Sequence, residues 1–441
     1  MAAISLSTGG SAGYVNGAID VHKWDNKEFH KAVAHPAPGV EYLQYTNTPR
    51  TYAEQRRFNM FALEALADEP ASFLAKESDR QLREVMDVSI PDLSGLAPVD
   101  PASLGKTLRC GNVSLSLDRS GAISRLTRHD CGGQECFDLD FASEDDTLAQ
   151  LQYQSLNESD FVWYHSSTAN GCGQTTCPCR DCEHGFGKYN SSCPIEGLEL
   201  NTTGTCANPI DKHSTPTLKS LHVAADECSA VARLEFDPQL PLRYGAPQAA
   251  YLRIELGAAR VNLTLTLWNK TSTRLPEATF LNFRSPKVEG AKWQMNKLGS
   301  WVDPEDVVTN GNQYQHGVHR GVRYGGLTVE TLDAILTSPI TDQPARSEVC
   351  AGTPASGDDP DKPGCHDIWC TWQGTPTALP GGGTLETGLN PLTDVRGIGY
   401  NLHNNLWSIN YPVFSPYENE LWAGRAHDDR NYQFRFALRL A

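Results

Sequence analysis

The sequence predicts a mainly β protein in which a short helical region leads into antiparallel sheets packed face to face. Apolar residues recur at spacings of three and four only between about Thr48 and Val88. Beyond residue 103 the spacing switches to two, the period of a strand with one buried face. The alternating stretches then return again and again with scarcely a helical stretch between them, which argues against parallel βαβ units and for antiparallel sheets.

Taken in order, residues 1–47 form an irregular, glycine-rich start, and 48–89 the helical segment. Thr51-Tyr-Ala-Glu54 is a capping box, with Thr51 placed to accept from a first-turn amide and Glu54 to reach back. Phe58, Phe61, Ala62, Ala65 and Leu66 make one apolar stripe on the helix that follows. Pro70 suits the first turn of a second helix, whose buried face is expected to use Phe73, Leu74, Leu82, Val85 and Met86. Residues 90–103, with Pro91, Pro98 and Pro101, read as a linker, and 104–441 as the β region.

Within that region Asn112-Val-Ser-Leu-Ser-Leu-Asp118 alternates strictly and Arg119-Ser-Gly121 supplies a turn, so a hairpin is expected. Leu221–Phe236 and Tyr251–Trp268 continue the pattern. In the latter, Leu263, Leu265 and Leu267 share a core face, and Asn262, Thr264 and Thr266 are expected to face water. Further strands are expected at Thr279–Phe283, Gly326–Thr337, Gly397–Tyr411 and Tyr432–Leu440. Two cysteine-bearing insertions, 168–208 and 345–383, interrupt the pattern. Loops of this length call for staples or a function.

Charge narrows the partners. With 37 basic against 53 acidic side chains the net charge is -16, a surface that repels phosphate backbones and anionic lipid. Nucleic acid and membrane are therefore not expected partners, and no apolar run nears the ~20 residues that cross a bilayer. The 13 cysteines cluster, above all as Cys172, Cys177, Cys179, Cys182 and Cys193. Six N-x-Ser/Thr sequons begin at Asn112, Asn157, Asn190, Asn201, Asn262 and Asn269. Together they point to the secretory pathway, with a lysosomal, vacuolar or extracellular destination and N-glycans on those asparagines. Met1 to Ala18 contains no signal peptide, which suggests a natural start further upstream; a cytosolic protein with reduced thiols is the alternative.

Chemistry is sparse. Cys177-Pro-Cys179-Arg-Asp-Cys182-Glu-His184 has ligand types for zinc, but they are compressed into one run, so disulfides are the first reading, with zinc and free thiols as alternatives. Glu144-Asp145-Asp146 and Asp303-Pro-Glu305-Asp306 are carboxylate clusters, which in loops are usually solvated. No metal-binding helix, nucleophile elbow or phosphate-binding glycine loop is present. Accordingly no catalytic residue, no metal ligand and no cofactor is assigned to this chain. The candidates for contact with a carbohydrate are Trp301, Asp303, Asn405, Trp407 and Arg425, which would combine an aromatic face for a pyranose with directed polar groups. Asn401-Leu-His-Asn-Asn-Leu-Trp407-Ser-Ile-Asn-Tyr411 is expected either to carry a polar network within a sheet or to line a groove.

Trp268-Asn-Lys-Thr-Ser-Thr-Arg-Leu-Pro-Glu-Ala278-Thr-Phe-Leu-Asn-Phe283 resembles a strand-and-turn block in the β-domains of glycoside hydrolase family 38 α-mannosidases and their relatives. Leu298-Gly-Ser-Trp301-Val-Asp-Pro304, Gly317-Val-His-Arg-Gly-Val322 and Asn401–Asn410 look like an uncharacterised branch of those relatives, domain of unknown function family 5054. Tyr52-Ala-Glu-Gln-Arg-Arg57 and Gln150-Leu-Gln-Tyr-Gln154 also fit it. The resemblance implies a galactose mutarotase-like β-supersandwich behind a helical bundle. It also implies a glycan partner and a role as the carbohydrate-handling C-terminal region of an α-mannosidase-like glycosidase. In that family a zinc ion and the catalytic carboxylates act from an N-terminal β/α barrel, which would precede residue 1. No position here matches the barrel's His-x-Asp or nucleophile segments, so the chain alone is expected to be inactive. A free-standing carbohydrate-binding or structural β-sandwich protein is the alternative.

Overall fold

The computed structural model describes residues 73–86, 88–100, 103, 105–132, 135–155, 212–270, 277–307, 315–341, 377–378, 384–385, 394–405 and 431–441. The described chain is mainly β, built of antiparallel sheets with few helices. The first expected helix lies outside these residues. The second is present as α1 (Phe73–Met86), carried by local ion pairs such as Arg80–Glu77 at 2.7 Å. Its expected buried face needs correction at one end: Phe73 and Leu74, in the first turn, are 76% and 68% exposed.

The largest sheet has ten strands. From one edge they run β1 (Leu96–Pro98), β8 (Thr217–Ala224), β9 (Ser229–Glu235), β10 (Pro247–Gly257) and β11 (Arg260–Lys270). Then come β22 (Tyr432–Leu440), β17 (Leu327–Thr331), β16 (Gly321–Tyr324), β13 (Gln294–Lys297) and β14 (Ser300–Val302). The second sheet, of six strands, runs β15 (His316–Gly317), β18 (Leu336–Thr341), β21 (Val395–Asn405), β12 (Glu277–Arg284), β6 (Gln150–Ser155) and β7 (Lys212–Ser214). A four-stranded sheet follows chain order: β2 (Leu108–Cys110), β3 (Val113–Leu117), β4 (Ile123–Gly132) and β5 (Glu135–Ala142). A two-stranded piece, β19 (Thr377–Ala378) with β20 (Thr384–Leu385), and a short helix, α2 (Gln239–Arg243), complete the set. Insertion 168–208 lies outside the described residues, as does most of 345–383.

The two large sheets share one core. Phe283 and Tyr400 from the six-stranded sheet meet Phe436 of β22 at ring separations of 5.8 and 5.1 Å, and the Tyr400 hydroxyl donates to Val329 O on β17 at 3.0 Å. A buried phenol placed this way keeps its hydroxyl satisfied while its ring fills the sandwich. Leu263, Leu265 and Leu267 point into that core as the alternation required. The opposite face of β11 departs from expectation at Thr266, which is wholly buried. The cause is a second apolar patch of Val231, Ala249 and Tyr251, against which Trp268, Leu93 and Leu96 pack. Leu93 and Leu96 belong to the stretch read as a linker; Leu96–Pro98 in fact adds an edge strand to the ten-stranded sheet.

The expected hairpin at residues 112–126 is present as β3 and β4. Asp118 accepts from the amides of Ser120 and Ala122 and from the Ser120 hydroxyl, and Gly121 turns the chain at φ +82° while lying against Leu234. A side chain there would suffer both from the left-handed backbone and from Leu234. A disulfide, Cys110–Cys228, joins β2 to the turn between β8 and β9, and Cys136 is also disulfide-bonded.

Candidate functional site

Of the residues proposed from the sequence to touch a sugar, Trp301 and Asp303 sit together at the end of β14. Trp301 is half-buried, and the Arg323 guanidinium covers its ring at 4.4 Å from the centroid. Arg323 is itself held by Gln294 at 2.7 Å, so this indole face is already taken. Asp303 opens the turn after β14, where one oxygen accepts from the Glu305 amide at 2.8 Å. Its other oxygen meets the Lys292 ammonium at 2.8 Å, and Glu305 meets the same ammonium at 3.0 Å. These two carboxylates drive the Lys292 pKa far above its usual value. The second Glu305 oxygen accepts from the Val395 amide at 3.0 Å, tying the turn to the start of β21.

Asp303, Glu305 and Lys292 line a cleft of about 420 Å³ with Asp146, Asp394 and Arg396. Its back wall is Trp293, stacked on Tyr324 at 5.1 Å. That volume falls within the range of small-molecule sites, and the rim presents acceptors and donors at short separation.

Asn405 is elsewhere. It ends β21, ten residues beyond Val395, or about 33 Å at the rise of an extended strand, so it does not share the cleft with Asp303. Trp407 and Arg425 lie outside the described residues. A buried ionic network lies beside the far end of β21, built by residues of the neighbouring strands and loop rather than by the Asn401–Tyr411 stretch itself. Asn405 stands opposite Glu277 in the ladder. Glu277 is 1% exposed and its carboxylate is gripped from two sides: the Lys270 ammonium at 2.6 Å and the Tyr153 hydroxyl at 2.5 Å. Lys270 also donates to Gly245 O at 2.7 Å, while the Gly245 amide donates to the Tyr153 oxygen at 2.8 Å. The loop closes on itself with each polar group satisfied, the condition under which a buried charge is tolerated.

His403 borders this network, with Nδ1 3.8 Å from a Glu277 oxygen. The ring keeps 28% of its surface, yet Nδ1 is enclosed and has no hydrogen-bond partner. Burial first, and the Lys270 charge second, hold its pKa well below the usual imidazole value, so it stays neutral. Burial, reinforced by Glu277, pushes the Tyr153 phenol well up. The sequence carried a faint signal for this network: Glu277 leads a strand whose inward positions continue as Thr279, Leu281 and Phe283, an acid where an apolar residue belongs.

Of the sequons, Asn262 is exposed on β11, Asn112 is half-buried in the β2–β3 turn, and Asn269 is half-buried with its amide donating to Gln248. Asn157, Asn190 and Asn201 lie outside the described residues. Among the described residues no group of three or more His, Cys, Asp or Glu side chains could hold a metal ion. No described helix is long and apolar enough to cross a membrane.

The described residues define a mainly β protein of antiparallel sheets with a polar cleft beside the turn after β14. The chain belongs to the family described as a domain of unknown function (DUF5054), whose model matches residues 18–263. No curated protein matches the chain.

Proposed function

We propose that this chain is the carbohydrate-handling β region of an α-mannosidase-like glycosidase, with a galactose mutarotase-like supersandwich as its scaffold. The observation that carries this reading is the Asp303–Lys292–Glu305 cleft. Two carboxylates bridged by one ammonium leave lone pairs and N–H groups directed into an opening of about 420 Å³, the pattern that grips vicinal hydroxyls. The Cys110–Cys228 disulfide and the sequon on exposed Asn262 support a secretory setting for such a glycan-handling protein.

The test is titration of the chain with mannose and oligomannose by calorimetry, for the parent, Asp303→Asn and Glu305→Gln. Saturable binding that weakens at least ~10-fold in both variants is expected, since each loses a charge-assisted bond of about 1.5–3 kcal/mol. Thermal stability should hardly change, because Lys292 is 62% exposed and exposed pairs contribute about 0–1 kcal/mol. No saturable binding, or binding untouched by both substitutions, refutes the proposal.

A further inference from the structure

A different part of the molecule carries a second arrangement, on the outward face of the four-stranded sheet. Inward positions of this sheet are apolar: Leu108, Val113, Leu115 and Leu126 are at most 1% exposed. The alternate positions are polar, and register brings three of them into a chain of hydrogen bonds. Ser114 on β3 bonds through its hydroxyl to His129 Nε2 on β4 at 3.1 Å, and His129 Nδ1 bonds to Asp138 on β5 at 2.6 Å. His129 and Asp138 are direct cross-strand partners. Arg109 on β2 stands directly opposite Ser114 and is exposed.

We propose that Ser114, His129, Asp138 and Arg109 form a hydrolytic site for carboxylic esters. A carboxylate at Nδ1 accepts and cannot donate, so it fixes the proton on Nδ1 and leaves Nε2 to accept from the serine. This is the relation of nucleophile, base and orienting acid that defines such sites wherever they occur, whatever the fold. Arg109 supplies the remaining element, a cation beside the nucleophile where the oxyanion develops. Opposite residues in an antiparallel pair hold their Cβ atoms about 5 Å apart, within reach of a guanidinium.

Chemically, Ser114 Oγ bonds to the acyl carbon as its proton passes to His129 Nε2. The ester C–O bond then breaks and the alcohol leaves with that proton. Water attacks the acyl-serine, giving its proton to Nε2. The carboxylic acid departs as the proton returns to Oγ. Asp138 is a positioning residue throughout. Ser114 is only 4% exposed, which restricts the acyl group to a small one. The alcohol part can extend along the same face: Ser116 and Asp140, two residues along the strands from Ser114 and Asp138, line a groove of about 1580 Å³ with Arg125 of β4 and with Thr107, which precedes β2. Such a lining of hydroxyls and opposed charges suits a polyhydroxylated alcohol. The inference is independent of the cleft at Asp303.

A fluorophosphonate, which phosphonylates an activated serine, tests it directly, alongside turnover of p-nitrophenyl acetate. Ser114 also completes the Asn112 sequon, so substitutions at His129 and Asp138, which leave that sequon intact, carry the experiment. One equivalent of adduct on the Ser114 peptide is expected in the parent chain. Labelling and turnover should both fall about 100-fold or more in His129→Gln, the scale of general-base catalysis. Asp138→Asn should slow both markedly and Asp138→Glu should recover part of the loss, a rescue that a merely structural role would not produce. Asp138 is 59% exposed, so these last variants fold. Arg109→Gln should lower kcat with little change in KM. Absence of adduct at Ser114, or labelling as fast in His129→Gln as in the parent, overturns the proposal.

Discussion

Replacing Lys270 by Met would leave the Glu277 carboxylate sealed in the protein without its counter-ion. Both side chains are at most 2% exposed, so water cannot take the place of the ammonium. Two charge-assisted bonds are lost, to Glu277 at 2.6 Å and to Gly245 O at 2.7 Å. At about 1.5–3 kcal/mol each they sum to roughly 3–6 kcal/mol, in line with the ~3–5 kcal/mol found when one member of a buried pair is removed. For a β domain of this size, that lowers the melting temperature by roughly 6–20 °C. Thermal unfolding of the parent, Lys270→Met, Glu277→Leu and the double variant measures it. The double variant should recover much of the loss, because an apolar pair costs no ion desolvation. A single-variant loss under about 1 kcal/mol, or a double variant no better than its parents, would refute the account.

Reducing or removing Cys110–Cys228, which closes a separation of 118 residues, should cost up to about 5 kcal/mol by the chain-entropy relation, read from the urea midpoint together with the slope, which should rise as the unfolded chain expands. Gly245→Ala would drive a Cβ into the Glu277 carboxylate and should destabilise by about 3 kcal/mol, as loss of one partner does; a neutral result would mean the loop yields freely. Because the folded-state pKa of His403 is depressed below the usual 6.5, its contribution is present above that pH. It fades as acid protonates the unfolded chain first. Between pH 7.5 and 5.5 the parent should lose more stability than His403→Gln, by on the order of 1 kcal/mol, as compared by denaturant titration at the two pH values.

Tyr432–Leu440 is legible as a strand in the sequence alone, with bounds that the structure repeats, and so are the hairpin at Arg119–Gly121 and the inward leucines of β11. Each depends on a local property: a strand exposes alternate side chains, and a turn needs a residue free to take positive φ. The chain as a mainly antiparallel β protein follows from that much. Register and neighbours are another matter, since they are chosen by packing between segments far apart in sequence. Nothing local says that β22, the last strand, inserts between β11 and β17, or that Leu96–Pro98 joins the sheet as an edge. Nor does it place Asp303 and Asn405 at opposite ends of β21. Tyr153 meets Glu277 across 124 residues, and Ser114, His129 and Asp138 reach one another only because two hairpins set their register. Sequence determined which residues could lie on a common face, because alternation is built into the extended backbone. Tertiary structure decided which of them touch, because contact depends on how strands align once the core between the sheets is filled.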